Sequence, residues 1–437
     1  MARDMKDSGI VWIGGIPKEW TINSISQLFS QVKNKNTDLQ ETNLLSLSYG
    51  KIKRKNIETT DGLLPESFDG YNIVESNDIV LRLTDLQNDH KSLRVGLVTE
   101  RGIITSAYLT IRNHSESIAK YLYFYLHAFD ISKGFYGMGA GVRQGLNWDG
   151  IKWLKMLSPS IPEQQAIADF LDSQCVHIDS VIEKTRAAIE EYKKLKQAVI
   201  TQAVTKSIRP NRKMKDSGIE WIGEIPINWK LIPFRHVLNE RNEKNVPVRS
   251  TERLSLSIDL GVTLYSEKTT NLDRFKDDFE QYKLAHEGDL VMNSMNMIVG
   301  ATGVSPYYGC VSPAYYTFFD DTQNHITAKF CEYIFRSKSM LRVLFSLGKG
   351  IYAIVRGDDR VNTCRLKVSR DDLRSIQLPI PSIEEQSEIV AYLDEKTAAI
   401  DSLIQKKEQL ITELEAYKKS LIYEYVTGKK EVPVHAH

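Results

Sequence analysis

Two stretches of the chain carry a helical pattern of unusual length. Residues 161–206 and 383–428 each run for about 45 residues with no glycine or proline between the first turn and the end. Each follows a Ser-x-x-Glu sequence, Ser160 to Glu163 and Ser382 to Glu385, which predicts a reciprocal capping box. Pro162 is compatible with a first turn, whose amides have no intrahelical partner. Gly428 suits the C′ position of the second helix. Apolar residues recur three and four apart. The first helix carries Ile167, Leu171, Ile178, Val181, Tyr192, Leu195 and Val199. The second carries Ile389, Leu393, Ile400, Leu403, Leu410, Leu414, Tyr417 and Leu421. An apolar stripe on so long a helix needs a second helix to cover it. The other copy is the obvious partner, in antiparallel pairing. The expected pairing residues are Leu171, Ile178, Val181, Tyr192 and Leu195 on one helix, and Leu393, Ile400, Leu403, Leu414 and Tyr417 on the other.

Before each helix the pattern changes to short β-like runs mixed with helical segments. Asp78 to Leu81 and Asp289 to Met292 predict strands that follow polar turns. Tyr121 to Leu126 and Phe330 to Phe335 are rich in aromatic residues, and predict helices whose rings lie in a core.

The two halves are copies. Met5 to Trp20 and Met214 to Trp229 agree at twelve of sixteen positions. The offset between matching residues is 209 there, 207 between Gly102 and Gly309, and 222 from Arg143 and Arg365 onward. Insertions and deletions therefore fall within the globular segments, while the opening motif and the helices stay constant. The expected fold class is α+β. Two mixed α/β domains are separated by a pair of long antiparallel helices, in a tandem repeat with approximate two-fold symmetry. The predicted boundaries are residues 1–157 for the first domain, 158–209 for the first helix and linker, 210–380 for the second domain, 381–428 for the second helix, and 429–437 for a tail.

Composition narrows this picture. With 42% apolar and 26% charged residues the chain suits a globular protein, and no apolar run is long enough to span a bilayer. Cys175, Cys310, Cys331 and Cys364 form no C-x-x-C pair, which argues against a zinc site and fits thiols in a reducing cytoplasm. The expected location is therefore cytoplasmic. Net charge is only +1, but it is unevenly spread. Residues 21–160 and 230–380 carry +2 and +3, whereas the two helices carry −1 and −5. The globular segments are the parts suited to a polyanion.

Candidate contact residues lie where the copies diverge. Lys51, Lys53, Arg54 and Lys55 form the densest basic run. Arg82, Gln87, Asn88 and Arg94 follow the first Asp-led strand, and Asn293, Ser294 and Asn296 stand at the matching place in the second copy. Arginine pairs with guanine, and Asn or Gln with adenine, through two hydrogen bonds in the major groove. Gly137 to Gly141 leads into Arg143 and Gln144; its counterpart is Lys349, flanked by glycines, with Tyr352, Arg356 and Arg360. Glycine lets backbone approach a ligand closely. These seventeen residues are the expected DNA contacts.

Catalytic motifs are lacking. The chain has no G-x-x-x-x-G-K-[ST], H-E-x-x-H or G-x-S-x-G sequence. A binding module is therefore expected, with no catalytic or metal-binding residues. The alternative is a coiled-coil scaffold whose globular parts bind protein.

The paired M-K-D-S-G-I-x-W-I-G-x-I-P-x-x-W motifs, and the P-S-I-x-E-Q helix openings at Pro159 to Gln164 and Pro381 to Gln386, resemble those of type I restriction–modification specificity subunits. The resemblance implies two target recognition domains, each reading half of a split site in double-stranded DNA. It implies a helical spacer that docks two modification (methyltransferase) subunits, with restriction subunits joining some complexes. S-adenosylmethionine, ATP and Mg²⁺ are then expected on those partners and not on this chain.

Overall fold

A computed structural model describes residues 3–56, 67–87, 93–139, 145–268, 278–321, 325–351 and 365–433. It is mixed helix and strand, with two long helices, Ile161–Lys206 and Ile383–Val426. The chain divides into two compact units, Met1–Arg186 with Glu408–His437, and Ala187–Lys407. Each unit thus holds one globular segment and a portion of both long helices. Among the described residues, no helix is long and apolar enough to cross a membrane.

In the first unit the strands are β1 (Phe29–Gln31), β2 (Leu45–Ser48), β3 (Lys51–Arg54), β4 (Ile79–Leu81), β5 (Val95–Leu97) and β6 (Leu109–Asn113). A four-stranded antiparallel sheet has the order β1–β6–β4–β5. Helix α1 (Ala119–Ile131) packs on it, and Tyr121, Leu122, Tyr125 and Leu126 are fully buried. In the second unit the strands are β7 (Asn239–Arg241), β8 (Leu254–Ser257), β9 (Gly261–Leu264), β10 (Leu290–Asn293), β11 (Thr302–Val304) and β12 (Tyr315–Phe319). Their sheet, β7–β12–β10–β11, repeats the first in order and direction. Helices α2 (Ile326–Arg336) and α3 (Lys338–Leu347) follow, and Phe330, Ile334 and Phe335 sit in the core.

Each globular segment is closed by a two-stranded neck. Thr21–Ser24 pairs antiparallel with Lys155–Ser158, and Lys230–Pro233 with Gln377–Ile380. Chain entering and leaving the divergent middle therefore runs side by side.

The helix openings do more than cap. Glu163 accepts a hydrogen bond from the indole Nε1 of buried Trp20 at 2.9 Å and pairs with Arg3. Its repeat counterpart Glu385 is 1% exposed, accepts from the Ser207 hydroxyl at 2.6 Å, and pairs with Arg212. At the second opening the reciprocal capping box expected from the sequence is thus only half made. Ser382 Oγ accepts from the Glu385 amide at 3.4 Å, but both glutamates reach outward to hold neighbouring chain. Gln164 and Gln386 donate to the carbonyls of Pro159 and Pro381 at 3.0 and 3.1 Å, closing the turn into each helix. At the far end of the second helix Gly428 has φ +70°, and a Cβ there would lie 2.4 Å from Pro17.

Within each unit the long helices run antiparallel. In the first, Asp179 meets Lys418 at 2.6 Å and Arg186 meets Glu415 at 2.9 Å, so numbering falls on one helix as it rises on the other. In the second, Lys196 meets Asp401 at 2.6 Å, and Lys407 lies over the Tyr192 ring. The seam differs from the expected one. Leu171, Ile178, Leu393 and Ile400 are buried, and Tyr192 and Leu414 are half-buried, as a pairing role requires. Leu195, Leu403 and Tyr417 are not in the seam: they are 49%, 42% and 53% exposed. Val181 is at its margin, and Ile182 and Ile189 are buried instead. The seam's second row runs through Cys175, Ile182, Ile189 and Lys196 on one helix, and Thr397, Ile404, Ile411 and Lys418 on the other. Its lysines lay their aliphatic stems along the helix and pair their charges at the edge. The more apolar row beside it drew the sequence reading one position off.

One buried group makes the first unit sensitive to acid. His127 of α1 lies in the interior, stacked on Tyr123 with ring centroids 5.6 Å apart, and its Nδ1 has no hydrogen-bond partner among the described residues. Burial pushes its pKa down to about 4. An unfolded histidine titrates near 6.5, so the unfolded chain takes up the proton first as pH falls. The neutral ring's contribution is complete above about pH 6.5 and is lost as pH falls toward 4. Between pH 7 and 5 the first unit should lose roughly 2 kcal/mol of stability. His127→Phe should flatten that slope in denaturant titrations at the two pH values. An equal slope in both proteins would show that other groups dominate.

Candidate nucleic-acid interface

Segments that flank the loops named from the sequence meet in each unit. Residues 82–87 leave the end of β4, a central strand of the sheet, and residues 294–296 leave the matching end of β10. In the first unit Leu146, just after the glycine-bearing segment, donates its amide to the Leu83 carbonyl at 2.8 Å. In the second, Val368 donates to the Ser294 carbonyl at 3.1 Å. Leu83 and Ser294 are repeat counterparts, as are Leu146 and Val368. Both units therefore tie the same two divergent segments together at the same point.

Within that frame the candidates divide by exposure. Gln87 and Asn296 are exposed at the strand ends and Arg82 is half-buried. Arg94 is not. It is fully buried, donating to the carbonyls of Arg82 at 3.0 Å and Thr84 at 2.9 Å and to the Tyr136 hydroxyl at 3.2 Å. Its guanidinium also lies over the Tyr136 ring. Arg94 therefore shapes the 82–87 loop from inside and is not presented at the surface. Asn293 and Ser294 are corrected for the same reason. Asn293 is 6% exposed and its Oδ1 accepts from the Met295 amide at 3.1 Å, while Ser294 is fully buried. An unsatisfied buried carbonyl or amide is costly, and Arg94 and Asn293 are recruited to prevent that, whereas the buried Ser294 hydroxyl has no hydrogen-bond partner among the described residues. Among residues flanking a turn, sequence alone does not separate these roles.

The basic run forms β3 and the residue after it, on the β2–β3 hairpin, whose tip is Tyr49-Gly50. Lys51 reaches Asp179 of the first long helix at 3.0 Å, anchoring the hairpin. Arg54 makes a two-pronged contact with Glu100, at 2.7 Å for Nε to Oε1, and holds that carboxyl below the usual carboxylate range. Lys53 and Lys55 are exposed and have no ion pair among the described residues. They are the two members of the run left open to a phosphate. In the second unit Lys349 is exposed and paired with Asp372 at 2.9 Å. Asn88, Arg143, Gln144, Tyr352, Arg356 and Arg360 lie outside the described residues.

Among the described residues no cluster of His, Cys, Asp and Glu is suited to a metal ion. Cys175, Cys310 and Cys331 are buried and unpaired; burial pushes the Cys175 thiol up to about 11, which suits packing and not nucleophilic chemistry.

No protein-family model matches the chain. It is similar to two Methanocaldococcus jannaschii proteins. One, provisionally named a type I restriction enzyme MjaX specificity subunit, is 21% identical over 436 residues, covering 96% of both chains. The other, the type I restriction enzyme MjaVIII specificity subunit, is 20% identical and covers 95% of this chain and 94% of that protein. Among solved structures, a chain from a type I restriction–modification assembly matches with TM-score 0.65 at 14% identity, over 95% of this chain and 99% of its own. The HsdS subunit from Thermoanaerobacter tengcongensis matches at 0.50 and 14%, over 95% and 98%. The fold is therefore shared from end to end.

Proposed function

We propose that this chain, a relative along nearly its whole length of type I restriction specificity subunits, is the non-catalytic, DNA-reading component of a type I restriction–modification complex. The observation that carries the reading is the duplicated module. Two sheets of one topology each place divergent polar loops at the same strand ends, on a neck attached to shared helices. Each unit reads one half of a bipartite site in double-stranded DNA. Half-buried Arg82 and exposed Gln87 and Asn296 face base edges, and Lys53 and Lys55 hold backbone phosphates. The long helices set the spacer between half-sites and dock two methyltransferase subunits, with restriction subunits joining some assemblies. Those partners carry S-adenosylmethionine, ATP and Mg²⁺ and flip the target adenine out of the stack for methylation. Such a complex works in the cytoplasm.

The neck supplies the test. Because residues 21–24 and 155–158 lie side by side, residues 25–154 can be exchanged for those of another recognition module without altering the helices. Mapping methylated adenines in cells carrying the exchanged subunit should reveal one altered half-site, with the other half and the spacer unchanged. Alteration of both halves, or of neither, would remove the assignment of one half-site to each unit.

A further inference from the structure

The second unit contains a groove that the reading above leaves unused. It has a volume of about 850 Å³ and lies between the last turns of the first long helix and the start of α3. Lys193, Lys194 and Lys206 line one wall, Lys338 and Arg342 the other, and Glu190 is the one carboxylate in the described lining. The Lys338 amide donates to the Gln197 side chain at 2.8 Å, fixing the two walls together. All five cations are exposed. Lys193 and Lys194 have carboxylates three residues away on the same helix, exposed pairs of little strength that salt and competing anions displace. Lys206, Lys338 and Arg342 have no ion pair among the described residues.

We infer that this groove holds the phosphodiester backbone of DNA, as a sequence-independent anchor present in the second unit and not in the first. The inference rests on the DNA-reading function proposed above. Its lining decides between nucleic acid and protein as occupant. Protein interfaces are held by buried aromatic or large aliphatic anchors, and here the one apolar lining residue is Ala198. Lysine, arginine, serine, threonine and glutamine, which make up the remainder apart from Glu190, are phosphate-contacting types. The helical wall from residue 190 to 206 is about 24 Å long, the rise of about seven base pairs. The repeat supports the one-sidedness. Positions 193, 194 and 206 correspond to Glu415, Ala416 and Gly428 in the second helix, so the matching face in the first unit keeps one lysine, Lys419 at the position of Gln197, where the groove has three. Because the contact reads no base edge, it adds affinity and leaves half-site choice untouched.

The test is the salt dependence of duplex binding by the full chain carrying Lys206→Gln, Lys338→Gln and Arg342→Gln together. Each phosphate that is no longer neutralised lowers the slope of log K against log salt by about 0.9, so the slope should fall by between about two and three. The fall should be equal on the cognate and a scrambled duplex, and a Lys338→Arg, Arg342→Lys variant should restore it at those two positions. All of these side chains are exposed, and an unchanged thermal midpoint checks that the fold survives. An unchanged slope with DNA still bound would overturn the inference and leave the DNA-reading function standing. Unchanged slope with failure of partner assembly would also overturn it, assigning the groove to an acidic protein segment. If the unaltered chain retained no duplex at any salt concentration, the DNA-reading function itself would fail.

Discussion

Replacing Asp289 by alanine should destabilise the second unit by roughly 3 kcal/mol, a large share of the roughly 5–15 kcal/mol that keeps an ordinary domain folded. Asp289 opens the central strand β10 and is 1% exposed. One carboxylate oxygen accepts from the His286 amide at 2.9 Å, which closes the turn into the strand. Arg241 of β7 donates to the same group through Nε at 2.6 Å and Nη2 at 3.1 Å, with its guanidinium over the Phe319 ring. Truncation would leave a guanidinium that is only 21% exposed with the more distant Glu243 at 3.7 Å, and a part-buried amide without this acceptor. Each effect is costly because neither group is returned fully to water. Asp289→Asn keeps one acceptor for the amide and should cost less. Asp78 does the same work in the first unit, accepting from the Glu75 amide at 2.8 Å and from Arg112 at 2.7 Å. Arg112 is 44% exposed, so Asp78→Ala should cost less than Asp289→Ala. Hydrogen exchange along the whole chain measures both. Loss of protection in β10 and β12 after Asp289→Ala, with β4 and β6 still protected, is the expected pattern. Protection unchanged in β10 would refute the role given to the pair.

These two carboxylates show where sequence reading stops. Asp78 and Asp289 are visible as repeat counterparts at the head of predicted strands, yet their arginines come from different strands, β6 in one unit and β7 in the other. A partner far away in sequence leaves no local trace. The long helices were legible because 3.6-residue periodicity survives over many turns, and the duplication was legible because matched residues recur at fixed offsets. The seam's register was not. Thr185 and Thr397 are buried within it, each returning its hydroxyl to the carbonyl four residues back at 2.7 Å, while apolar Leu195 and Tyr417 stand outside. At the candidate interface the sequence marks divergent polar loops but does not sort their members by burial. Arg94, Asn293 and Ser294 have the composition of contact residues and the burial of structural ones.

The displaced row itself leads to the second large effect. Tyr417→Glu and Leu195→Glu should each remove one methyltransferase subunit from the proposed complex, and together remove both. Residues 195 and 417 are repeat counterparts, one in each unit, and so are 181 and 403. A row of large apolar side chains facing solvent beside a seam that includes threonine and lysine gains nothing for the pairing of the long helices. It is what a further helix would cover. That each unit carries an equivalent position fits two copies of one partner better than one copy of a larger one. A buried tyrosine anchor is worth about 2 kcal/mol or more, and a carboxylate in its place adds desolvation, so each substitution should weaken its docking site at least about 30-fold. Because both side chains are about half exposed here, glutamate should leave the melting temperature of the isolated chain nearly unchanged. Native mass spectrometry of co-expressed subunits reads the outcome directly. The unaltered chain should carry two methyltransferase copies, either single variant one, and the double variant none. Retention of both copies by the double variant would move the docking surface away from these helices, and absence of both copies from a single variant would mean that the two sites do not act independently.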